Sequence, residues 1–156
     1  MPLVRGVHRS AHGPRRLTAR RRGHRLSPRA ADVVVEAWGP DVAACAEEAA
    51  AGVVSVHARS GTSPVIGCQR SRLVATAPEA VVLGVVDEAI FAFDAAAGVP
   101  VGVEVVPVPG GFDVTILLAD RTSFVPTGPA PKAVSHSGLE VHAGRTGVSC
   151  HFIVDV

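Results

Sequence analysis

The stretch HFIVDV at residues 151–156 places an acidic residue directly after a short apolar run. Phe152, Ile153 and Val154 are aromatic or β-branched, a composition that predicts a buried strand. Asp155 follows this run, and a charge at the end of a strand usually does no more than keep that end in water. It acquires a function only if another part of the chain supplies a group that needs a carboxylate.

Upstream of this strand, the spacing of apolar residues predicts alternating strands and helices. A first strand covers residues 32–38 (DVVVEAW), and the Gly-Pro-Asp sequence at 39–41 is typical of a helix start. Residues 59–67 are predicted to form a loop. A second strand at 71–77 is followed by a second helix from Pro78 to about Asp94.

The remainder of the chain switches to a period of two residues and predicts two hairpins. The first turns at Gly110-Gly111 and the second around residues 144–147. The complete order is β-α-β-α-β-β-β-β. This order predicts an α+β fold in which two helices pack on one face of a mainly antiparallel sheet.

The charge is distributed unevenly along the chain. Residues 1–31 contain nine arginines and no acidic residue, whereas residues 32–156 contain six basic and fourteen acidic residues, a net charge of −8. Residues 1–23 have too little apolar content to fold and are predicted to be a disordered, arginine-rich tail. The tail is either an arm that binds nucleic-acid phosphates or a solvated leader, and residues 24–156 form one domain.

Several classes of protein are disfavoured by composition. No apolar run is long enough to cross a membrane, and the first residues lack the apolar stretch of a signal peptide. Cys45, Cys68 and Cys150 are widely spaced and form no Cys-x-x-Cys motif, which fits neither a disulfide framework nor a zinc site. We therefore expect reduced thiols and a cytoplasmic location.

The sequence contains no catalytic signature. There is no phosphate-binding glycine loop and no nucleophile elbow. His136 follows Ser135, and His151 follows Cys150, but adjacent strand residues point to opposite faces and cannot form a catalytic pair. We therefore predict that the protein is not an enzyme.

Two carboxylates at strand ends are of greater interest. Asp32 opens the first strand and Asp155 closes the last. If these ends converge, the repulsion between two anions requires a proton or a cation. Carboxylate and carbonyl oxygens suit calcium or magnesium, so the spacing indicates a cation site; the alternative is two unrelated strand-end charges.

Four segments together resemble the archease family. They are PRAADVVVEAWGPDVAACAEEAAAG (28–52), LGVVDEAIFAFDAAAGVPVGVEV (83–105), PKAVSHSGLEV (131–141) and IVDV (153–156). They occur in the family's order without large gaps, and together they span about residues 24–156. The family's strand entry is His-Thr-Ala-Asp, its later strand begins Lys-Ala-Val, and its last strand closes on an aspartate.

The resemblance implies an α+β fold with a strand-helix-strand-strand module and a function as a protein cofactor. Archeases activate the RtcB-type RNA ligase in tRNA splicing or RNA repair by promoting its guanylylation and turnover. A chaperone-like effect on an RNA methyltransferase or another RNA-modifying enzyme is an alternative, and so is RNA binding through the arginine-rich tail. The family's metal site corresponds here to Asp32, Asp155 and Val156, with calcium as the expected cation and magnesium or manganese as alternatives.

This sequence departs from the family pattern in ways typical of a diverged bacterial-type member. The family's histidine and threonine before the first aspartate are replaced by Arg29 and Ala30. Arg29 can itself neutralise the two carboxylates, which would make the metal optional. Lys132 keeps the pattern and is expected either to contact a phosphate or a ligase carboxylate, or to be a solvated loop lysine. Val156, as the last residue, can offer its terminal carboxylate in place of the family's carbonyl.

Overall fold

The computed structural model describes residues 21–58, 63–95 and 97–156, which form seven strands and two helices. The strands are β1 (Gly23–Pro28), β2 (Asp32–Gly39), β3 (Val65–Leu73), β4 (Val99–Val108), β5 (Gly111–Ala119), β6 (Ala133–Gly144) and β7 (Gly147–Asp155), and the helices are α1 (Val42–His57) and α2 (Pro78–Ala95). The predicted α+β class is confirmed. The predicted disorder of the tail and its RNA-binding alternative fall mainly on residues 1–20, outside the described residues.

The strands form two antiparallel sheets, whereas the sequence predicted one. The first sheet has the order β1-β2-β7-β6 and the second has the order β3-β5-β4. Strand β1 was not predicted, because its sequence GHRLSP lacks a repeating apolar pattern. Strand β3 begins at Val65, within the segment predicted to be a loop, and ends at Leu73 rather than at Ala77.

Polar contacts to helix α1 explain why the polar strand β1 forms. Arg22, just before β1, makes ion pairs with Glu47 and Glu48 of α1, and His24 Nδ1 lies 2.9 Å from Glu48 Oε1. Burial alone would raise the pKa of Glu48, but the hydrogen bonds from His24 and Arg22 outweigh it and hold this pKa below its usual value. Glu48 therefore remains ionised and anchors the start of β1.

Both helices contact both sheets, which explains why α1 is buried on most of its surface. Asp41 caps the helix, because its Oδ1 accepts a hydrogen bond of 2.8 Å from the Ala44 main-chain N–H. Small residues are buried around most of α1 because strands approach from two directions. These buried residues are Ala43, Ala44, Cys45, Ala46, Ala49, Ala50, Gly52, Val53, Val54 and Val56.

Strands β2 and β7 form the centre of the first sheet and alternate between two environments. Their inner residues are buried against the helices, and Val35 and Phe152, which pair across the strands, are both 0% exposed. Their outer residues are mostly half-buried. Because Val33 and Val154 face the core, the adjoining Asp32 and Asp155 face outward.

Candidate functional site

Asp32 and Asp155 are direct cross-strand partners at one end of the first sheet. They pair in the antiparallel register of β2 with β7, and Ala133 of β6 is the next partner in the same row. Cross-strand partners have Cβ atoms about 5 Å apart and lie on the same face. The structure therefore brings together the two carboxylates that the sequence singled out, and the small, exposed Ala133 follows Asp155 in the row.

Asp32 has an oxygen atom that no hydrogen-bond donor satisfies. Its Oδ1 is buried and has no hydrogen-bond partner among the described residues. Among the described residues the closest cation is Arg29, whose Nε lies 3.6 Å from this oxygen, a distance at which the charges attract but a hydrogen bond is not formed. A buried carboxylate oxygen without a donor is costly, so this atom is available to a ligand.

Main-chain hydrogen bonds hold the two acidic strand ends in place. The Lys132 N–H donates to the Asp155 carbonyl at 2.8 Å, and the Arg29 N–H donates to the Asp32 carbonyl at 2.8 Å. The Val156 N–H donates to the Ala31 carbonyl at 3.5 Å. These contacts engage both aspartate carbonyls and fix the main chain of Val156 against that of Ala31.

The donor set has the chemistry of a hard-cation site. Two facing carboxylates repel each other, and a cation between them relieves the repulsion. Oxygen ligands from Asp32, Asp155 and Val156, completed by water, are what calcium, magnesium and manganese accept. The residues present fit such a cation, because Asp32 Oδ1 accepts no hydrogen bond from any described residue and Arg29 Nε lies 3.6 Å away.

The candidate site contains two acidic side chains, Asp32 and Asp155. Within residues 21–58, 63–95 and 97–156, no group of three or more His, Cys, Asp or Glu side chains is placed to hold a metal ion. Any cation at the pair would therefore depend on main-chain oxygen and water for its remaining ligands. Because the Arg29 guanidinium lies close to Asp32, it is the alternative to a cation as the positive charge that neutralises the pair.

The sequence did not indicate the main-chain contacts that shape the site. Nothing in the residue types of Ala31, Lys132 or Ala133 predicts that their backbones meet the acidic strand ends. The side chain of Lys132 is exposed, so its predicted contact to a phosphate or carboxylate remains a prediction. Predicting these contacts would have required the registers in which β7 pairs with β2 and with β6, because those registers bring all three residues next to the acidic strand ends.

His57 and His151 lie in separate places in the fold. His57 is the last residue of α1, and its Nδ1 lies 2.8 Å from the Gly128 carbonyl oxygen, which fastens the 120–132 connection to the helix. His151 is half-buried on the outer face of β7, whereas Cys150 is buried on the inner face. Cys150 and His151 therefore face opposite ways, as the alternation of strand residues requires.

The three thiols differ sharply in accessibility. Cys45 and Cys150 are 0% and 5% exposed, while Cys68 is exposed on β3. A hydrogen bond with Cys150, together with burial, raises the pKa of Cys45 far above its usual value, so the reactive thiolate is scarce. We expect iodoacetamide at pH 8 to modify one thiol per native chain and all three in denaturant.

Mass spectrometry of the intact chain measures this labelling. The variant Cys68→Ser should take up no label while folded and two labels when unfolded. Rapid native modification of two or more thiols, or labelling of the folded Cys68→Ser variant, would contradict the buried placement of Cys45 and Cys150.

Comparisons with known proteins agree with this architecture. Residues 24–156 match the Archease protein family (MTH1598/TM1083). The "Probable protein archease" of Mycobacterium tuberculosis, in strains CDC 1551 / Oshkosh and H37Rv, is 33% identical over 134 residues, which cover 86% of this chain and 75% of the relative. The solution structure of Methanobacterium thermoautotrophicum protein 1598 is 16% identical and has a TM-score of 0.66, covering 86% of this chain and 99% of that one.

No helix in the described part of the chain is long and apolar enough to cross a membrane.

The similarity to the solution structure shows that the two proteins share a fold. The family model and the sequence identity to the mycobacterial relative also identify the family. The family match extends from β1 through the terminal strand β7 and includes both members of the acidic pair. The chain therefore belongs to the archease family.

Proposed function

We propose that this chain is a non-enzymatic protein cofactor that activates an RtcB-type RNA ligase. Membership of the archease family supports a protein-cofactor role and a protein partner such as an RNA ligase. The finer proposal is that the chain promotes guanylylation and turnover of the ligase in tRNA splicing or RNA repair.

The observation that supports this proposal is the cross-strand pairing of Asp32 with Asp155 beside a buried oxygen that lacks a donor. We assign the cation-binding role to these two side chains and to the main-chain oxygen of Val156. Calcium is the cation we propose first, with magnesium and manganese as alternatives. A bound divalent cation would supply a positive charge that can attract a phosphate or carboxylate of the partner.

Arg29 and Lys132 place two positive groups beside the acidic end. The Arg29 guanidinium lies 3.6 Å from Asp32 Oδ1 and is about half exposed, so it can either share the pair with a cation or replace the cation. Lys132 is held through its main chain to Asp155, and its side chain is exposed. In either case this end of the first sheet presents mixed charge to a partner's phosphate or carboxylate groups.

A guanylylation assay tests the proposal directly. We expect the chain to increase formation of the ligase–guanylate adduct from GTP, and we expect Asp155→Ala to reduce the rate to that of the ligase alone. The physical reason is that Asp32 alone, without the carboxylate of Asp155, cannot hold the divalent cation that we propose the ligase contacts. The readout is incorporation of labelled guanylate into the ligase.

Asp94→Ala is the matched control, because it removes an exposed acid near the end of α2, an element separate from the acidic pair. This control should stimulate the ligase as well as the unmodified chain does. Full stimulation by Asp155→Ala, with both variants folded by circular dichroism, would reject the assignment of the acidic pair to ligase activation.

A further inference from the structure

Strand β3 is an edge strand whose one register irregularity in its pairing with β5 lies at its start, between Val65 and Gly67. It pairs with β5 on one side, and no described strand pairs with its other side. Residues Gly67 to Leu73 follow β5 in unbroken register and contain no proline. A row of main-chain N–H and C=O groups along such an edge can accept another extended segment.

The other three edge strands carry features that discourage pairing. Strand β1 has six residues and ends at Pro28. Strand β4 contains Pro100 and Pro107, and the pairing of β6 with β7 is interrupted between Ser135 and Glu140. Prolines, short length and bulges are the devices by which proteins protect sheet edges. Among the described strands, β3 is therefore the edge best suited to accept a partner.

The side chains of β3 are unusually exposed for a strand. Val65 and Ile66, at its start, are 52% and 62% exposed. Cys68, Arg70 and Arg72 are also exposed, and their spacing of two residues places them together on the outer face of the sheet. The exposed face of β3 therefore combines two apolar side chains at its start with arginines at alternate positions.

A shallow groove of about 420 Å³ lies on this outer face, on the other sheet from the acidic pair. It is lined by Arg70, Ser71, Arg72, Val106, Asp113 and Thr115. Arg72 is already paired, with its Nε 2.5 Å from Asp113 Oδ1. Arg70 makes no ion pair or hydrogen bond within the described residues, and its cross-strand neighbour is the uncharged Thr115. The Arg70 guanidinium is therefore available to a carboxylate of an added strand.

Charge selects the kind of segment that can occupy this edge. A second copy pairing antiparallel about the middle of β3 would place Arg70 opposite Arg70, and like charges directly opposite are unfavourable. Residues 1–20 of this chain contain five arginines and no acid, so they share the same sign. An extended segment with carboxylates at alternate positions avoids both conflicts.

We propose that the free edge of β3 binds an extended acidic segment of a partner protein, which adds as a fourth strand to the β3-β5-β4 sheet. Its main chain pairs with residues Gly67–Leu73, and one of its carboxylates lies opposite Arg70. This surface uses no residue of the Asp32–Asp155 pair. Its test is therefore independent of whether that pair binds a cation or activates a ligase.

Hydrogen–deuterium exchange on the full chain tests the proposal with a synthetic nine-residue peptide. The peptide alternates glutamate with valine or threonine, and a control peptide has lysine in place of each glutamate. We expect the acidic peptide to slow exchange of the free-edge amides between Gly67 and Leu73 by roughly tenfold when about nine-tenths of the chain is bound. The lysine peptide should not slow it.

Arg70→Glu is the informative variant, because Arg70 makes no ion pair or hydrogen bond with the residues that the structure describes. Reversing one cross-strand charge should weaken binding of the acidic peptide by roughly 2- to 30-fold and improve binding of the lysine peptide. Arg145→Glu, in the turn between β6 and β7, makes the same charge change on the other sheet and should leave both affinities unchanged.

Four results would overturn the proposal. They are equal binding of both peptides, no protection of β3 by the acidic peptide, concentration-dependent protection of β3 in the peptide-free chain, and faster exchange of β3 after deletion of residues 1–20. The third would identify a second copy as the occupant, and the fourth would identify the chain's own first residues.

Discussion

Phe152→Ala is expected to remove a large part of the stability of the fold, about 3–5 kcal/mol. Phe152 is 0% exposed and is the largest of the fully buried side chains. Its truncation removes apolar contacts and leaves a cavity, because the surrounding sheet and helix cannot collapse fully into the space. Since domains are commonly stable by about 5–15 kcal/mol, the loss brings the chain close to unfolding at 37 °C.

Urea denaturation followed by circular dichroism measures this effect as a fall in the midpoint. The matched control is Ile153→Ala, one residue later on the outer face and only half-buried. We expect that change to cost less than about 1.5 kcal/mol, because the side chain is already partly in water. Equal losses for the two variants would contradict the placement of the core on the inner face of β7.

Calcium, magnesium or manganese is expected to stabilise the chain through the acidic pair. A cation that binds the native state adds about 2.7 kcal/mol when its concentration is 100 times the dissociation constant. Asp32→Asn and Asp155→Asn should both lose this response. Without added cation, however, each should be as stable as the unmodified chain or more so, because facing like charges are unfavourable by about 0.2–1 kcal/mol.

Thermal unfolding with and without each cation, together with calorimetric titration, provides the measurement. Asp94→Asn removes an acid from α2 and should retain the full response. Arg29→Ala separates the two counter-charges: if a cation neutralises the pair, this variant should bind the cation more tightly. Two results together would identify the Arg29 guanidinium as the counter-charge instead. The unmodified chain would not be stabilised by any of the three cations, and Arg29→Ala would be less stable than the unmodified chain.

Much of the local structure could be predicted from residue order because its causes are local. The Gly-Pro-Asp sequence predicted the start of α1, and Asp41 does cap that helix. The glycine-containing turns predicted both hairpins, and Gly110 adopts a φ of +81°, a conformation that favours glycine. Short runs of β-branched and aromatic residues predicted strands β2 and β7. Each of these features depends on residues a few positions apart, and the backbone preferences of those residues follow from their types.

The tertiary structure alone decided which strands share a sheet and which residues meet. Periodicity cannot distinguish one sheet from two, and it did not reveal β1, which forms because Arg22 and His24 reach Glu48 on α1. The sequence singled out Asp32 and Asp155, but the β2–β7 register placed them opposite each other with Arg29 as their neighbour. The physical reason is that strand partners more than 100 residues apart are chosen by how both sheets bury their apolar faces against the same two helices, a long-range condition that no local stretch of sequence contains.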